Sequence, residues 1–181
     1  MNTPGMIHLP LSMRLLLLLM ALCLPATLSA LPSDREQPIY IEADSVEIDD
    51  ASGISIYRGN VHYIQGTTEL TADEATVYSE QRKFKKLVAT GDPAHYTTLP
   101  EGKQEKMTAE ALTIIYLTDQ EIYEFHEEAH LWHKDSEVFG AFISYDAQRN
   151  LVTAHKNEKE RVKAILVPET KPQDDSEPPR D

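Results

Sequence analysis

Residues 126–133 read His-Glu-Glu-Ala-His-Leu-Trp-His. The first five match H-E-x-x-H. On a helix that pattern places two imidazoles one turn apart on one face, where they hold zinc while the intervening Glu acts as general base. Arranged so, His126, Glu127 and His130 would make the chain a zinc-dependent hydrolase. The requirement is geometric, since both rings must come within about 2.0–2.1 Å of one ion. On a strand, positions i and i+4 share a face but lie about 13 Å apart, at a rise of roughly 3.3 Å per residue. The chemistry of the motif therefore depends on the element that carries it.

The elements are announced by an internal repeat. Ile41-Glu42-Ala43-Asp44-Ser45-Val46-Glu47-Ile48 is echoed by Leu70-Thr71-Ala72-Asp73-Glu74-Ala75-Thr76-Val77-Tyr78 and by Met107-Thr108-Ala109-Glu110-Ala111-Leu112-Thr113-Ile114-Ile115-Tyr116. A weaker copy is Val138-Phe139-Gly140-Ala141-Phe142-Ile143-Ser144-Tyr145. Each copy has an apolar residue, a small residue two places on, and a short alternating apolar stretch. The small residues at 43, 72, 109 and 140 suit a corner where a sheet bends. Turn signals at 49–53, 58–60, 65–67, 91–93 and 99–102 separate segments of four to eight residues rich in Ile, Val, Tyr and Thr. Period-two alternation in such segments marks strands. The expectation is an all-β chain, a twisted open jellyroll of many short antiparallel strands folded into two facing sheets.

Within this frame the histidine motif reads as a strand. Ile122, Phe125, Ala129 and Trp132 do fall at helical spacing, and the glutamates favour a helix. Yet Glu128-Ala129-His130-Leu131 occupies the place that Pro93-Ala94-His95-Tyr96 holds in the sibling unit, where Gly91 and Pro93 exclude a continuous helix. Equivalent units fold alike, so His126, His130 and His133 become solvent-facing or rim residues. The stretch after His130 also lacks the Gly of the extended zincin pattern. No G-x-S-x-G elbow, phosphate-binding glycine loop or CxxC is present, and no carboxylate pair stands out from the acidic surface.

The ends of the chain read differently. Arg14, the apolar run 15–24, Pro25 and the small residues Ala26, Thr27, Ser29 and Ala30 have the layout of a secretory signal peptide over residues 1–30, cleaved after Ser29 or Ala30. The run is too short to cross a bilayer, which takes about 20 apolar residues. Cys23, the only cysteine, leaves with it, so the mature chain has neither disulfide nor thiolate nucleophile. The full chain carries a net charge of −13, and about −14 once Arg14 is gone. That excess of carboxylates argues against nucleic acid, which is bound through clustered Lys and Arg, and against an anionic membrane surface. Residues 168–181, with four prolines and no apolar side chain, form a disordered acidic tail by composition. One folded domain over 36–167 remains.

Several motifs in this region, in order, resemble one family. They are Gln37-Pro38-Ile39-Tyr40-Ile41-Glu42-Ala43-Asp44, Gly59-Asn60-Val61, Gln65-Gly66, Ala72-Asp73 and Gly91-Asp92-Pro93-Ala94-His95-Tyr96. The resemblance is to the OstA-like family of LptA-type periplasmic lipopolysaccharide-transport bridge proteins. It implies a β-jellyroll open at both ends that shields lipid A acyl chains in an apolar groove, and implies no catalytic residue, metal or cofactor. It further implies head-to-tail homo-oligomers built by β-augmentation, spanning from inner-membrane LptC to outer-membrane LptD. By match to the family motifs, Ile39 and Ile41 line the groove at the N-terminal mouth, and Tyr96, Ile114 and Tyr116 line it further in. Where the family has a second Gly-Asn-Ala this chain has Glu127-Glu128-Ala129, and a later Lys-Gly-Asp is Phe139-Gly140-Ala141. Both departures concern turns, and neither removes an interior apolar position.

The physics of the residues is compatible with this role. Each sequestered methylene contributes about 0.8 kcal/mol, so burial alone can hold a multi-acyl lipid. The acidic surface would keep a phosphorylated head group outside. Segments 38–43 and 161–167 are expected to be terminal edge strands, the parts through which copies join. Metal analysis separates this reading from the hydrolase: the mature protein should hold no stoichiometric zinc, and His130→Ala should leave its metal content unchanged. Zinc that disappears in His130→Ala would establish the hydrolase instead.

Overall fold

The computed structural model describes residues 34–158 and 161–167. The signal peptide and the disordered acidic tail expected from the sequence lie outside the described residues. A single 3-10 turn at Asp34–Glu36 precedes ten strands: β1 (Ile39–Glu42), β2 (Ser45–Asp49), β3 (Ile54–Gln65), β4 (Thr68–Glu80), β5 (Lys83–Thr98), β6 (Met107–Leu117), β7 (Ile122–His133), β8 (Ser136–Asp146), β9 (Leu151–His155) and β10 (Lys163–Ile165). All pairings are antiparallel, in the order β1-β3-β4-β5-β6-β7-β8-β10, with β2 also on β3 and β9 also on β8.

The short strands expected from the sequence are joined in pairs. Gly59-Asn60 and Gly91-Asp92-Pro93 are not turns between strands but irregularities within β3 and β5. The register shifts between Arg58 and Val61, Thr71 and Glu74, Thr90 and Ala94, Glu110 and Thr113, and His126 and Ala129. These shifts lie side by side, so a line of bulges crosses the whole sheet. A bulge bends and over-twists the strand that carries it. Here it divides every long strand into two halves and folds the ladder into two facing leaves. One leaf contains β2 and β9, the other β1 and β10.

Small side chains occupy the inside of the bend. Ala94 pairs with Ala111, Ala129 pairs with Gly140, and Ala72 stands opposite Val61. Ala94, Ala111 and Ala129 are fully buried. The corner expected from the repeated small residues is therefore present, although in the third copy Ala111 occupies it and Ala109 lies two residues into a leaf. The edge strand crosses the same line at Ala43-Asp44. There Asp44 N–H donates to the Gly59 carbonyl (2.9 Å) and Asn60 Nδ2 donates to Asp44 Oδ2 (2.8 Å). A Cβ on Gly59 would collide with that carboxylate, and its φ of +78° is one that only glycine adopts freely.

The two departures from the family pattern have different outcomes: Phe139-Gly140-Ala141 runs within β8 without a left-handed residue. Glu127 and Glu128 keep the left-handed bulge of Gly59-Asn60, with φ of +63° and +55° against +78° and +48°. A left-handed conformation costs an ordinary residue about 1–2 kcal/mol. Both glutamates are exposed, so their side chains recover little of that cost. Replacing them with the residues of the sibling bulge, Glu127→Gly with Glu128→Asn, should raise unfolding stability by about 1 kcal/mol. A shifted denaturant midpoint at unchanged slope is the expected observation.

Candidate functional site

The printed register lets each interior row be followed from edge to edge. In the leaf of β1 and β10 one row runs Ile41–Tyr63–Leu70–Tyr96–Ala109–Leu131–Val138–Ala164. In the other leaf the rows begin at Val46 and Ile48 on β2, pass through Ile114 and Tyr116, and leave through Ala154 and Val152 on β9. Apolar side chains thus form a continuous interior strip that reaches both ends of the ladder.

The five residues expected to line a groove all stand on this interior face, in two settings. Ile39 (38 % exposed) and Ile41 line an open cleft of about 250 Å³ together with Tyr57, Val77 and Phe84. That cleft sits between the two leaves at the β1 edge. Tyr96, Ile114 and Tyr116 lie deeper, at 1 %, 0 % and 5 % exposure. They are packed in a core whose centre is aromatic: Tyr116 stacks on Tyr123 (4.3 Å between centroids, 4° between planes), and Tyr123 and Phe125 contact Tyr96 across the leaves at 4.5 and 5.4 Å. Sequence reasoning missed Tyr57, Val77, Phe84, Tyr123 and Phe125. The alternation of Tyr123 with Glu124 and of Tyr57 with Arg58 was the available signal.

Polar groups close the cleft side. Tyr63 donates to Gln65 Oε1 (2.7 Å), and Gln65 Nε2 donates to the Gln37 carbonyl (3.2 Å). Asp34 accepts from Thr67 N–H (2.9 Å), Thr67 Oγ1 (2.6 Å) and Thr68 Oγ1 (3.0 Å), and Thr68 Oγ1 lies 2.9 Å from Thr98 Oγ1. The segment before β1 is thereby strapped over the β3–β4 turn. Burial raises the ionisation of the Tyr63, Tyr96, Tyr123 and Tyr145 phenols above the usual range, because a phenolate between the leaves loses its solvation.

His126 and His130 face outward on β7, whereas His133, expected at the solvent or rim, shares the inward face of Leu131 opposite Met107, with its Nε2 buried. His126 precedes the left-handed bulge and His130 follows it. His126 sits edge-on to Phe142 and 3.1 Å from Glu124. His130 is held between the rings of Trp132 and Phe139, with Nε2 3.0 Å from Glu137. The helical turn that would aim both rings at one ion does not exist, and no metal-holding group of three His, Cys, Asp or Glu occurs among the described residues.

The edges carry the remaining apolar surface. Ile39, Tyr40, Val46 and Ile48 are exposed at one end, and Leu151, Val162, Ile165, Leu166 and Val167 at the other. Such unpaired apolar edges are templates for another strand.

A family model described as LptA/(LptD N-terminal domain) LPS transport protein matches residues 40–151, most of the described ladder. The chain belongs to this family. It is similar to the lipopolysaccharide export system protein LptH of Pseudomonas aeruginosa, at 34 % identity over 152 residues that cover 80 % of this chain and 87 % of the relative. The Escherichia coli K12 protein LptA is 28 % identical over 153 residues, covering 83 % and 80 %. A crystal structure of LptH, described as the LptA-homologous periplasmic component of the lipopolysaccharide transport device of P. aeruginosa, superposes with a TM-score of 0.72 at 33 % identity, over 76 % of this chain and all of the other. The family membership agrees with the bulged, open ladder and with the strand reading of residues 126–130.

The buried phenols make stability depend on alkaline pH. A phenol whose folded pKa lies above its unfolded value, near 10, supports folding fully below that pH, and the support is lost as pH rises further. The expected outcome is cooperative unfolding above about pH 10, with phenolate absorbance from these tyrosines appearing in step with loss of β-sheet circular dichroism. Phenolate formation well before unfolding would show that the interior admits water.

Proposed function

We propose that this chain is a non-catalytic periplasmic bridge protein that binds lipopolysaccharide and carries it from the inner to the outer membrane. The observation that carries this reading is the apolar interior strip that opens at both ladder edges, each edge bearing unpaired, exposed apolar strands. Acyl chains enter between the leaves at the Ile39–Ile41 cleft, and the rows through Tyr96, Ile114 and Tyr116 line the path as the leaves part. Sugar and phosphates stay outside, away from the acidic surface. Copies join head to tail through the β1/β2 and β9/β10 edges, which makes one strip of many. The terminal copies meet LptC at the inner membrane and LptD at the outer, as the family resemblance implies. Membership of a family named for lipopolysaccharide transport and likeness to a periplasmic component support the same reading.

Binding follows from burial at about 25 cal/mol per Å² of apolar surface, and no bond is made or broken. Native mass spectrometry of the mature protein with purified lipopolysaccharide should show lipid adducts and a ladder of multimers. Ile41→Asp should weaken lipid binding at least tenfold, because it places a carboxylate in the cleft. Deleting 161–167 should abolish the multimers while the fold and the lipid adducts of single copies persist. Wild-type protein that takes up no lipid would overturn the proposal.

A further inference from the structure

One outward-facing row crosses the leaf of β1 and β10 from end to end. Its members are Glu42, His62, Thr71, His95, Glu110, His130, Phe139 and Lys163, each directly opposite the next. The row begins with a carboxylate on one edge strand and ends with an ammonium on the other. Glu42 is exposed and has no ion-pair partner among the described residues. Lys163 Nζ lies over the Phe139 ring, 5.0 Å from its centre, and is likewise without a carboxylate among them.

The whole edges follow the same division. Around β1 and β2 stand Glu36, Glu42, Asp44, Glu47, Asp49 and Asp50, of which Glu47 is paired with Arg58 (3.3 Å), and no basic residue occurs from 36 to 50. From β9 to β10 the described residues carry Lys156, Arg161 and Lys163 against Glu158. The two ends of an otherwise strongly acidic protein therefore have opposite sign.

Strand direction decides what this difference can select. Antiparallel alternation along the path gives β10 the opposite direction to β1, and β9 the opposite direction to β2. A second copy displaced along the ladder therefore lays its β1 antiparallel to β10 and its β2 antiparallel to β9, continuing both leaves. A two-fold arrangement of β1 against β1 is also antiparallel and is equally open to the backbone. It would close a dimer and stop growth, whereas the displaced arrangement is heterologous and can extend. Backbone hydrogen bonding does not choose between them, but charge does.

We propose that the opposite charge of the two edges sets the polarity of assembly, with Lys163 of one copy directly opposite Glu42 of a second copy as the register pair. The inference rests on the bridge reading, in which the partner at each edge is another copy of this chain. Head-to-tail joining pairs acid with base along the junction. The two-fold alternative brings two acidic edges together, a repulsive element of the kind that separates partners of similar shape.

The test uses the absence of cysteine from the mature chain. Directly opposite residues of an antiparallel pair have Cα atoms about 4.5–5.5 Å apart, within the range a disulfide spans. Glu42→Cys combined with Lys163→Cys, mildly oxidised, should give a ladder of covalent multimers that reducing agent collapses. Glu42→Cys alone should remain uncrosslinked. A covalent dimer from Glu42→Cys alone would overturn the polarity, and non-covalent multimers without crosslinks in the double variant would overturn the register.

Charge reversal supplies the second arm. Glu42→Lys and Lys163→Glu should each weaken assembly about tenfold at low salt. Mixing the two variants, or combining both changes in one chain, should restore it. Single reversals that assemble like wild type would refute the role of charge while leaving the bridge reading in place. Failure of the wild-type protein to form any multimer would remove the bridge reading and this inference with it.

Discussion

The line of bulges is the constraint on which the other features depend. A flat antiparallel ladder of this length would expose two faces, and with its alternation only one could be buried. By bending every long strand at the same level, the bulges bring the two halves of one face together, so each strand contributes to both leaves. The bend requires small side chains on its inner side and residues that tolerate left-handed backbone on its outer side. Both are found: buried alanines at 94, 111 and 129, and Gly59-Asn60 or its strained counterpart Glu127-Glu128. Asp44 belongs to the same device, since it ties the edge strand to the bulge through Gly59 and Asn60.

An interior made this way has a useful property. It is enclosed by the two leaves and by the bend, but it is not enclosed at the ends of the ladder, because antiparallel order stops there without a closing strand. The apolar rows reach β1 and β2 at one end and β9 and β10 at the other. Within one copy the middle of the strip is filled by Tyr96, Tyr116, Tyr123 and Phe125, while the cleft beside Ile39 and Ile41 stays open. In the proposed role, carriage of acyl chains asks the leaves to separate along an aromatic interface. Aromatic pairs contribute about 0.5–1.5 kcal/mol beyond area burial, an amount that incoming hydrocarbon can offset.

The histidine motif illustrates how strongly backbone geometry governs chemistry. The same five residues that place two ligands on one face of a helix are divided here by a left-handed bulge on a strand. His130 has become a stacking and hydrogen-bonding member of an outward row, between Trp132 and Phe139 and beside Glu137. Residue types that suggest an enzyme serve in this fold to pack its outer surface.

The sequence by itself determined the class of the fold, three of the four corner positions and the character of the interior. Alternation and a repeat with small residues are local properties, and they survive in any arrangement that buries one face. For that reason Ala94 and Ala129 could be matched as equivalents, and residues 126–130 assigned to a strand, before any contact was known. Only the tertiary structure decided that Gly59-Asn60 and Gly91-Asp92-Pro93 are bulges rather than turns, because both uses need the same permissive backbone and differ only in where the neighbouring strand runs. It also decided which apolar residues open on a cleft and which are sealed in the core. That distinction depends on how closely two leaves approach, and spacing along the chain holds no record of it.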